Sequence, residues 1–310
     1  MLPYPDTQPW PRPPAIRKLG TIRCDMVETT PIVFRDELYR FEYVRPEEQN
    51  PSNTTGSSYF HFVHVRTNQP SVPFARNHHL GSAFTDGGVM YVSGLRDAWG
   101  SDTVDFFRSD DLVHWERYAE LRVPGWKIYN TNMCRMGGEY ILLMEMNDPS
   151  DRKCVPFTFR FARSKDMAGW EVLPEDRVFQ PDRYAGGPAI YTLPDDPHFY
   201  VLYLEAIPCG RYVNGIARSG DLIRWEYSPI NPVLMYEPEK DKQIASPFLT
   251  PAERERIAAA LDVNNSDMEM CEYLGRTIIY YSWGNQHGNE FLAEACYEGP
   301  MAELLHGFFA

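Results

Sequence analysis

Apolar and polar residues alternate in short runs along most of this chain of 310 residues, which is the pattern of half-buried β-strands. Clear examples are the runs at 38–44, 89–94 and 199–205. Turns that contain glycine, such as Gly87-Gly88 and Gly137-Gly138, separate several of these runs and indicate antiparallel hairpins. The alternation therefore predicts an all-β fold.

One segment occurs three times, at 108–115, 163–170 and 218–225, and each copy reads Arg-Ser, any residue, Asp (Asp111, Asp166 or Asp221), Leu or Met, two further residues and Trp. The tryptophans are 55 residues apart in both intervals, and a fixed period of this length is typical of propellers and arrays. Ser and Asp side chains commonly bond to the backbone of their own turn, and Trp packs at the start of the next strand. We interpret the repeat as structural, because a catalytic group has no reason to recur in every unit.

Counting strand pairs between these turns gives five units, which predicts a five-bladed β-propeller with antiparallel blades. Residues 1–20 contain six prolines and are predicted to form an N-terminal arm, and residues 21–310 a single propeller domain. A short helical insertion at about 250–262 precedes blade five, with Thr250 as N-cap and Pro251 and Glu253 in its first turn. Because the last unit is one strand short, we expect residues near Ile16 to Ile22 to pair with it and close the ring.

The composition of the chain limits the classes of molecule that it is expected to bind. A formal net charge of −13 and a pI near 5.1 exclude nucleic acid and anionic membranes as favoured partners, and leave an uncharged or sugar-like ligand. The sequence shows no signal peptide, so as written we expect a cytoplasmic location unless a signal has been removed. Six cysteines without C-x-x-C spacing indicate reduced, buried thiols. The oligomeric state is left open.

In a propeller the first strand of each blade lines the central channel, so the polar residues that open these strands are the candidates for function. They are Asp25, Glu28, His78, His79, Asn130, Asn132, Asn265, Asp267 and Glu269. Carboxylates that converge on one funnel are what glycoside hydrolysis requires, one to protonate the leaving oxygen and one to activate water or attack.

The blade count and the Ser-x-Asp-Leu turns, over about residues 21–300, resemble those of the five-bladed propeller glycosidases, such as glycoside hydrolase families 43, 32 and 117. The resemblance implies an acidic residue on the first strand of blade one, and Glu28 stands there, eleven residues before Tyr39. It also implies a Glu that opens a later blade, yet Gly186-Gly187-Pro188 stands in that place. Ser82 and Ala83 occupy the region where blade two would supply an Asp.

Blade five offers a replacement for the missing acid, since Asp267 and Glu269 lie two apart and side chains alternate along a strand. We therefore assign Glu28 as the base or ground-state carboxylate, and Asp267 or Glu269 as the partner acid, because one of two close carboxylates titrates high. His79 is an alternative acid, as a histidine is in family 117. The structural alternatives are a hydrogen-bonded strand-end role for Glu28 and a core or ion-holding role for His78 and His79.

Substrate binding is predicted for His78, Asn130 and Asn132. The loop at 283–290 is predicted at the funnel mouth, with Trp283 stacking on a sugar face and His287 and Glu290 binding hydroxyls; a solvated turn beside a buried tryptophan is the alternative. Glu145 and Glu205, which end return strands, are weaker candidates for the channel wall.

These features predict a glycoside hydrolase that acts on the end of an oligosaccharide or polysaccharide. One alternative is a non-catalytic carbohydrate-binding propeller. A glycoside phosphorylase is another, for which Arg96, Arg135 and Arg183 are the candidate phosphate ligands. No cofactor is expected to be required and no metal ligand is assigned, although histidines near the axis leave room for a structural Ca²⁺ in the channel.

Overall fold

The structure, a computed structural model, describes residues 13–45, 57–147, 157–285 and 290–310. It is built almost entirely from β-strands, so the predicted all-β class is confirmed. The strands of the first half are β1 (Arg17–Cys24), β2 (Pro31–Phe34), β3 (Glu37–Val44), β4 (Tyr59–His64), β5 (Gln69–Pro70), β6 (His78–Asp86), β7 (Val89–Arg96), β8 (Thr103–Ser109), β9 (Glu116–Arg122), β10 (Lys127–Met136) and β11 (Glu139–Asn147). Those of the second half are β12 (Thr158–Ser164), β13 (Glu171–Val172), β14 (Val178–Phe179), β15 (Gly186–Thr192), β16 (Phe199–Ile207), β17 (Arg211–Ser219), β18 (Glu226–Tyr227), β19 (Asn264–Tyr273), β20 (Arg276–Gly284) and β21 (Glu290–Tyr297).

The strands associate into antiparallel groups that follow one another along the chain. We call them units: unit 1 is β2 to β5, unit 2 is β6 to β9, unit 3 is β10 to β14, unit 4 is β15 to β18, and unit 5 is β19, β20, β21 and β1. Units 4 and 5 share one sheet through a single parallel pair, Tyr212 with Asn264. The first strand of each unit is its inner strand.

Strand β1 joins the two ends of the described chain. It pairs antiparallel with β21, from Arg17 opposite Cys296 to Cys24 opposite Phe291. The prediction that an N-terminal segment completes the last unit is therefore confirmed. Strand β1 begins at Arg17, within the range predicted for the N-terminal arm, and residues 1–12 of that arm lie outside the described residues.

The repeated Ser-x-Asp turns are structural, as predicted. In the second unit the Ser109 hydroxyl accepts from the backbone N–H groups of Asp111 and Leu112, and Asp111 Oδ1 accepts from the next two backbone N–H groups. Leu112 has a φ of 61°, and the equivalent residues Met167 and Leu222 have φ values of 59° and 60°. The side-chain hydrogen bonds hold a left-handed residue in each turn, at a conformation that otherwise costs free energy.

The repeated tryptophans connect neighbouring units. Trp115 of unit 2 stacks on Phe74 beside unit 1 at a ring distance of 3.7 Å. Trp170 of unit 3 stacks on Phe106 of unit 2 at 4.9 Å. Each ring buries a large apolar area between two sheets, which explains why the residue recurs with the period of the fold.

The segment between units 4 and 5 contains two helices, α1 (Pro238–Asp241) and α2 (Pro251–Ala259). The capping box expected at the start of α2 is present: the Thr250 hydroxyl accepts from Glu253 N, and Glu253 bonds back to Thr250 N. This segment is tied to β1, because Lys18 Nζ donates to Asp241 Oδ1 at 2.8 Å in a buried ion pair. A third helix, α3 (Met301–Gly307), follows β21.

Three of the five described cysteines are buried as expected, whereas Cys209 is exposed and Cys271 lies between these extremes. Within the described ranges no helix is long and apolar enough to cross a membrane.

Candidate active site

Four of the five inner strands share a distortion of the backbone near their start. Strands β6, β10, β15 and β19 each contain a register shift near their start, typical of a β-bulge. Beside these shifts Leu80, Gly187 and Asp267 have φ values of 48°, 51° and 50°, and Glu28, just before β2, has 54°. Backbone strain of this kind persists only where the surroundings enforce it, and it concentrates at functional sites.

These four residues line one cavity of about 300 Å³ at the starting end of the inner strands, which we call the small cavity. Its other lining residues are Val27, Trp99, Tyr129, Asn130, Glu145, Phe157, Tyr184, Leu204 and Glu290. Four carboxylates therefore line the same cavity: Glu28, Glu145, Asp267 and Glu290. Of the four, Glu145 is the most buried, with 4% of its surface exposed.

Glu145 is the carboxylate whose position is best defined. Its Oε2 accepts from Asn130 Nδ2 at 2.9 Å and from Gly187 N at 3.0 Å. Burial nevertheless raises the pKa of Glu145 to about 7, because these two neutral donors offset only part of the cost of removing the charge from water. A carboxyl with this pKa can hold or release a proton at neutral pH.

Asp267 occupies the space that a side chain at position 187 would fill. A Cβ built on Gly187 would lie 2.6 Å from Asp267 Oδ1, and Ser266 Oγ donates to Asp267 Oδ2 at 2.5 Å. Burial raises the pKa of Asp267, while the Ser266 hydroxyl and the Arg45 charge oppose that rise. Because Gly187 touches both carboxylates, Asp267 Oδ1 and Glu145 Oε2 lie at most about 8 Å apart.

Glu28 and Glu290 complete the cluster. Burial, followed by the charge of Asp267, holds the pKa of Glu28 well above its ordinary value. The same two causes raise the pKa of Glu290 to about 7. Arg45 opposes these shifts at Glu28, Glu290 and Asp267, so its guanidinium is the cation that acts on this side of the cluster. It lies over the rings of Tyr43 and Trp99, 5.4 Å and 5.8 Å from their centroids.

The structure does not bring His79 into the small cavity. It is 1% exposed, and its Nδ1 lies 2.7 Å from the Tyr43 hydroxyl, which also accepts from Trp99 Nε1 at 3.1 Å. Burial lowers the pKa of His79 to about 4, so the ring is neutral where an acid would need its proton. The predicted acid role does not fit this geometry. His79 instead supports Tyr43 and, through it, the Trp99 wall of the cavity.

Two of the predicted sugar-binding residues are structural in this fold. His78 Nε2 contacts Asp105 Oδ2 at 2.8 Å within an ion-pair cluster, and lines neither of the cavities described here. Trp283 is 1% exposed, stacks on Phe291 at 4.5 Å and donates its indole N–H to Thr21 Oγ1. A ring this deep offers no face to a sugar, so the stacking prediction for Trp283 is wrong. His287 lies outside the described residues.

Glu269 and Asn132 lie at the other end of the channel, where a larger cavity of about 890 Å³ opens between the hairpin turns. The two residues contact each other, with Asn132 Nδ2 3.1 Å from Glu269 Oε2. The sequence predicts Asp267 and Glu269 on the same face of a strand, because side chains alternate along a strand. The bulge in β19 interrupts that alternation. Asp267 and Glu269 therefore line different cavities, although burial raises the pKa of Glu269 to about 8.

Four of the candidates named from the sequence, Glu28, Asn130, Asp267 and Glu290, line the small cavity, and their roles stay predictions. The cavity also contains Glu145, which the sequence indicated only as a weaker candidate because it ends a return strand. Arg45, Trp99 and Phe157 carried no sequence signal, because none of them stands at the opening of an inner strand.

The three arginines considered as phosphate ligands are engaged elsewhere. Arg96 pairs with Asp105 at 2.6 Å, Arg135 with Asp86 at 3.0 Å in the wall of the larger cavity, and Arg183 with Glu205 at 2.9 Å. None of the three lines the small cavity. Among the described residues, no group of three or more His, Cys, Asp or Glu side chains is arranged to hold a metal ion. A structural Ca²⁺ stays a prediction.

Comparison with known proteins identifies the architecture. No protein-family model and no curated protein sequence matches the chain. A solved structure described as a glycoside hydrolase superimposes with a TM-score of 0.61 at 14% identity, over 92% of each chain. An α-L-arabinofuranosidase from Podospora anserina, in complex with cellotriose, gives 0.58 at 8% identity over 96% of this chain and 94% of that one. An α-L-arabinanase from Penicillium chrysogenum, complexed with arabinobiose, gives 0.57 at 10% identity over 91% and 98%.

The likeness confirms, at the level of fold, the resemblance to propeller glycosidases that the sequence indicated. The chain has the β-propeller fold found in glycoside hydrolases.

Proposed function

We propose that this protein is a five-bladed propeller glycoside hydrolase that removes a sugar from the end of an oligosaccharide or polysaccharide. Units 1 to 5 are the five blades. The observation that carries the proposal is the convergence of four carboxylates on one small cavity, two of which, Glu28 and Asp267, have strained backbone with positive φ. Burying this many acids together costs free energy, and functional sites are where proteins retain such clusters.

Glu145 is the general acid in this proposal. Two hydrogen bonds hold its Oε2, which leaves Oε1 to carry the proton toward the glycosidic oxygen. A pKa of about 7 suits this role, because proton transfer is most efficient when the pKa of the acid lies near the working pH.

Asp267 is the partner carboxylate. The Ser266 hydroxyl and the Arg45 charge favour its ionised form. It either takes a proton from the attacking water, which inverts the anomeric configuration, or attacks the anomeric carbon itself, which retains it. The upper limit of about 8 Å between Asp267 and Glu145 is compatible with both geometries. Glu28, held protonated by burial, donates a hydrogen bond to a sugar hydroxyl.

The substrate follows from the size and charge of the small cavity. A volume of about 300 Å³ is at the small end for ligand sites, so it favours one terminal sugar over an internal stretch of chain. Four carboxylates disfavour a sugar acid or a phosphate, which argues for an uncharged sugar and against phosphorolysis. The arabinofuranosidase and arabinanase of the same fold make arabinose-containing glycans the first substrates to try.

The test is hydrolysis of a panel of aryl glycosides and plant oligosaccharides by the wild type, Glu145→Gln and Asp267→Asn. Both variants are expected to lose kcat by at least about 1,000-fold, with Glu269→Gln as a matched control from the larger cavity. Folding of each variant is checked by circular dichroism. If a sugar binds in the small cavity but the wild type hydrolyses no member of the panel, the protein is a carbohydrate-binding propeller and the proposal is refuted.

A further inference from the structure

Two adjacent glycines at the start of β15 form a notch that other side chains fill. A Cβ on Gly186 would lie 2.7 Å from the Tyr184 hydroxyl oxygen and 3.5 Å from Glu145 Oε1. A Cβ on Gly187 would lie 2.6 Å from Asp267 Oδ1. The absence of side chains at both positions thus allows a phenol and two carboxylates to approach the same short stretch of backbone.

Tyr184 is held in this place by its ring. It packs against Phe157 at 5.7 Å and Tyr212 at 5.8 Å, and Phe157 in turn packs against Tyr129 at 4.9 Å. The ring of Tyr184 is therefore fixed by aromatic contacts on two sides. None of the hydrogen bonds among the described residues uses the Tyr184 hydroxyl, although the residue lines the small cavity.

We infer that Tyr184 is a further catalytic residue, whose hydroxyl donates a hydrogen bond to the reacting sugar beside Glu145 and Asp267. This inference rests on the proposed hydrolase function and deepens it. The hydroxyl keeps its proton throughout the reaction, so no proton or electron pair is transferred by Tyr184. It stabilises the oxygen on which negative charge grows as the glycosidic bond breaks.

The electrostatic setting supports a donor rather than a phenolate. Burial and the nearby charges of Glu145 and Asp267 raise the pKa of Tyr184 well above its ordinary value, which keeps the hydroxyl protonated at all working pH values. A neutral donor fixed before the substrate arrives needs no reorganisation during the reaction, and this preorganisation is the source of its effect on rate.

The experiment compares Tyr184→Phe with Tyr212→Phe on the substrate that the wild type cleaves best. Each variant loses one hydroxyl and keeps its ring, and the two rings are neighbours. We expect Tyr184→Phe to lower kcat by about 10- to 100-fold with KM changed by less than about three-fold, and Tyr212→Phe to leave both within about two-fold. Thermal unfolding of both variants reports any loss of folding.

Gly186→Ala provides a second, independent variant, because its methyl group would displace the Tyr184 hydroxyl. We expect a similar loss of kcat in the wild-type background and a much smaller additional loss in Tyr184→Phe, since no hydroxyl is left to displace. Such non-additivity indicates that both substitutions act through one group.

The outcomes separate the two claims. An active wild type with an inactive Glu145→Gln and an unchanged Tyr184→Phe overturns the role of Tyr184 and leaves the hydrolase function standing. A wild type that cleaves no member of the panel overturns both. An active wild type with a slow Tyr184→Phe and a normal Tyr212→Phe supports the inference.

Discussion

The substitution Glu269→Gln tests how much the ionisation of a buried acid costs in unfolding free energy, at a residue that lies outside the small cavity. Glu269 is 7% exposed, and its Oε2 accepts from Asn132 Nδ2 at 3.1 Å. Glutamine has nearly the same shape and can accept the same hydrogen bond through its amide oxygen. The substitution therefore removes the ionisation of this group and keeps its packing.

The magnitude follows from the raised pKa. With a pKa of about 8 in the folded protein and an ordinary value of 4.5, Glu269 binds its proton more tightly when folded. Its contribution to stability is therefore fully present below pH 4.5 and is lost as the pH rises toward 8. Linkage converts this difference into a loss of about 3 kcal/mol between pH 4 and pH 7.

Urea unfolding of wild type and Glu269→Gln at pH 4, 5.5, 7 and 8 measures this contribution. The difference in unfolding free energy between the two proteins should shift by about 3 kcal/mol in favour of the variant as the pH rises. Glu255→Gln, an exposed position on α2, is the matched control and should show no such trend. A difference between wild type and Glu269→Gln that is the same at every pH would refute the reasoning.

Three further predictions test other parts of the structure. Ser219→Ala removes the acceptor used by two backbone N–H groups of a repeated turn and should cost about 1–3 kcal/mol of unfolding free energy, measured in urea. Lys18→Met leaves the Asp241 carboxylate buried without its cation and should cost about 3–5 kcal/mol; adding Asp241→Asn should recover part of that loss, and no recovery would contradict the ion-pair account. The pH profile of kcat should fall above about pH 7, as Glu145 loses its proton, and a profile still rising at pH 9 would exclude Glu145 as the acid.

The repeated turns show how far local sequence reaches. In each turn the Ser and Asp side chains bond to the backbone of the turn itself, so these turns depend on residues that are close together in the sequence. The spacing between the turns matches the length of a unit. The pairing of β1 with β21 was predictable for a related reason, because a unit one strand short leaves an edge that the chain must cover.

The site could be predicted only in part. Glu28 and Asp267 were named because they are acidic residues at the openings of inner strands, and Glu290 because the polar run at 283–290 predicted a loop at the funnel mouth. Glu269 was paired wrongly with Asp267, because a bulge changes which way successive side chains point and leaves no reliable mark in the sequence. Trp283 was misplaced because the sequence assigned it to a loop, whereas it lies within β20 and its ring is buried in the core.

The sequence by itself determined the all-β class, the repeated turns, the capping box at Thr250 and the strand that completes the last unit. Each depends on residues close together in the chain or on a period that can be counted. The tertiary structure decided that Glu145 joins the carboxylates, that Asp267 fills the space beside Gly187, and that Tyr184 reaches the same notch. Glu145, Gly187 and Asp267 belong to three different units, and the distances between them depend on how the sheets pack around the channel, which no local pattern encodes.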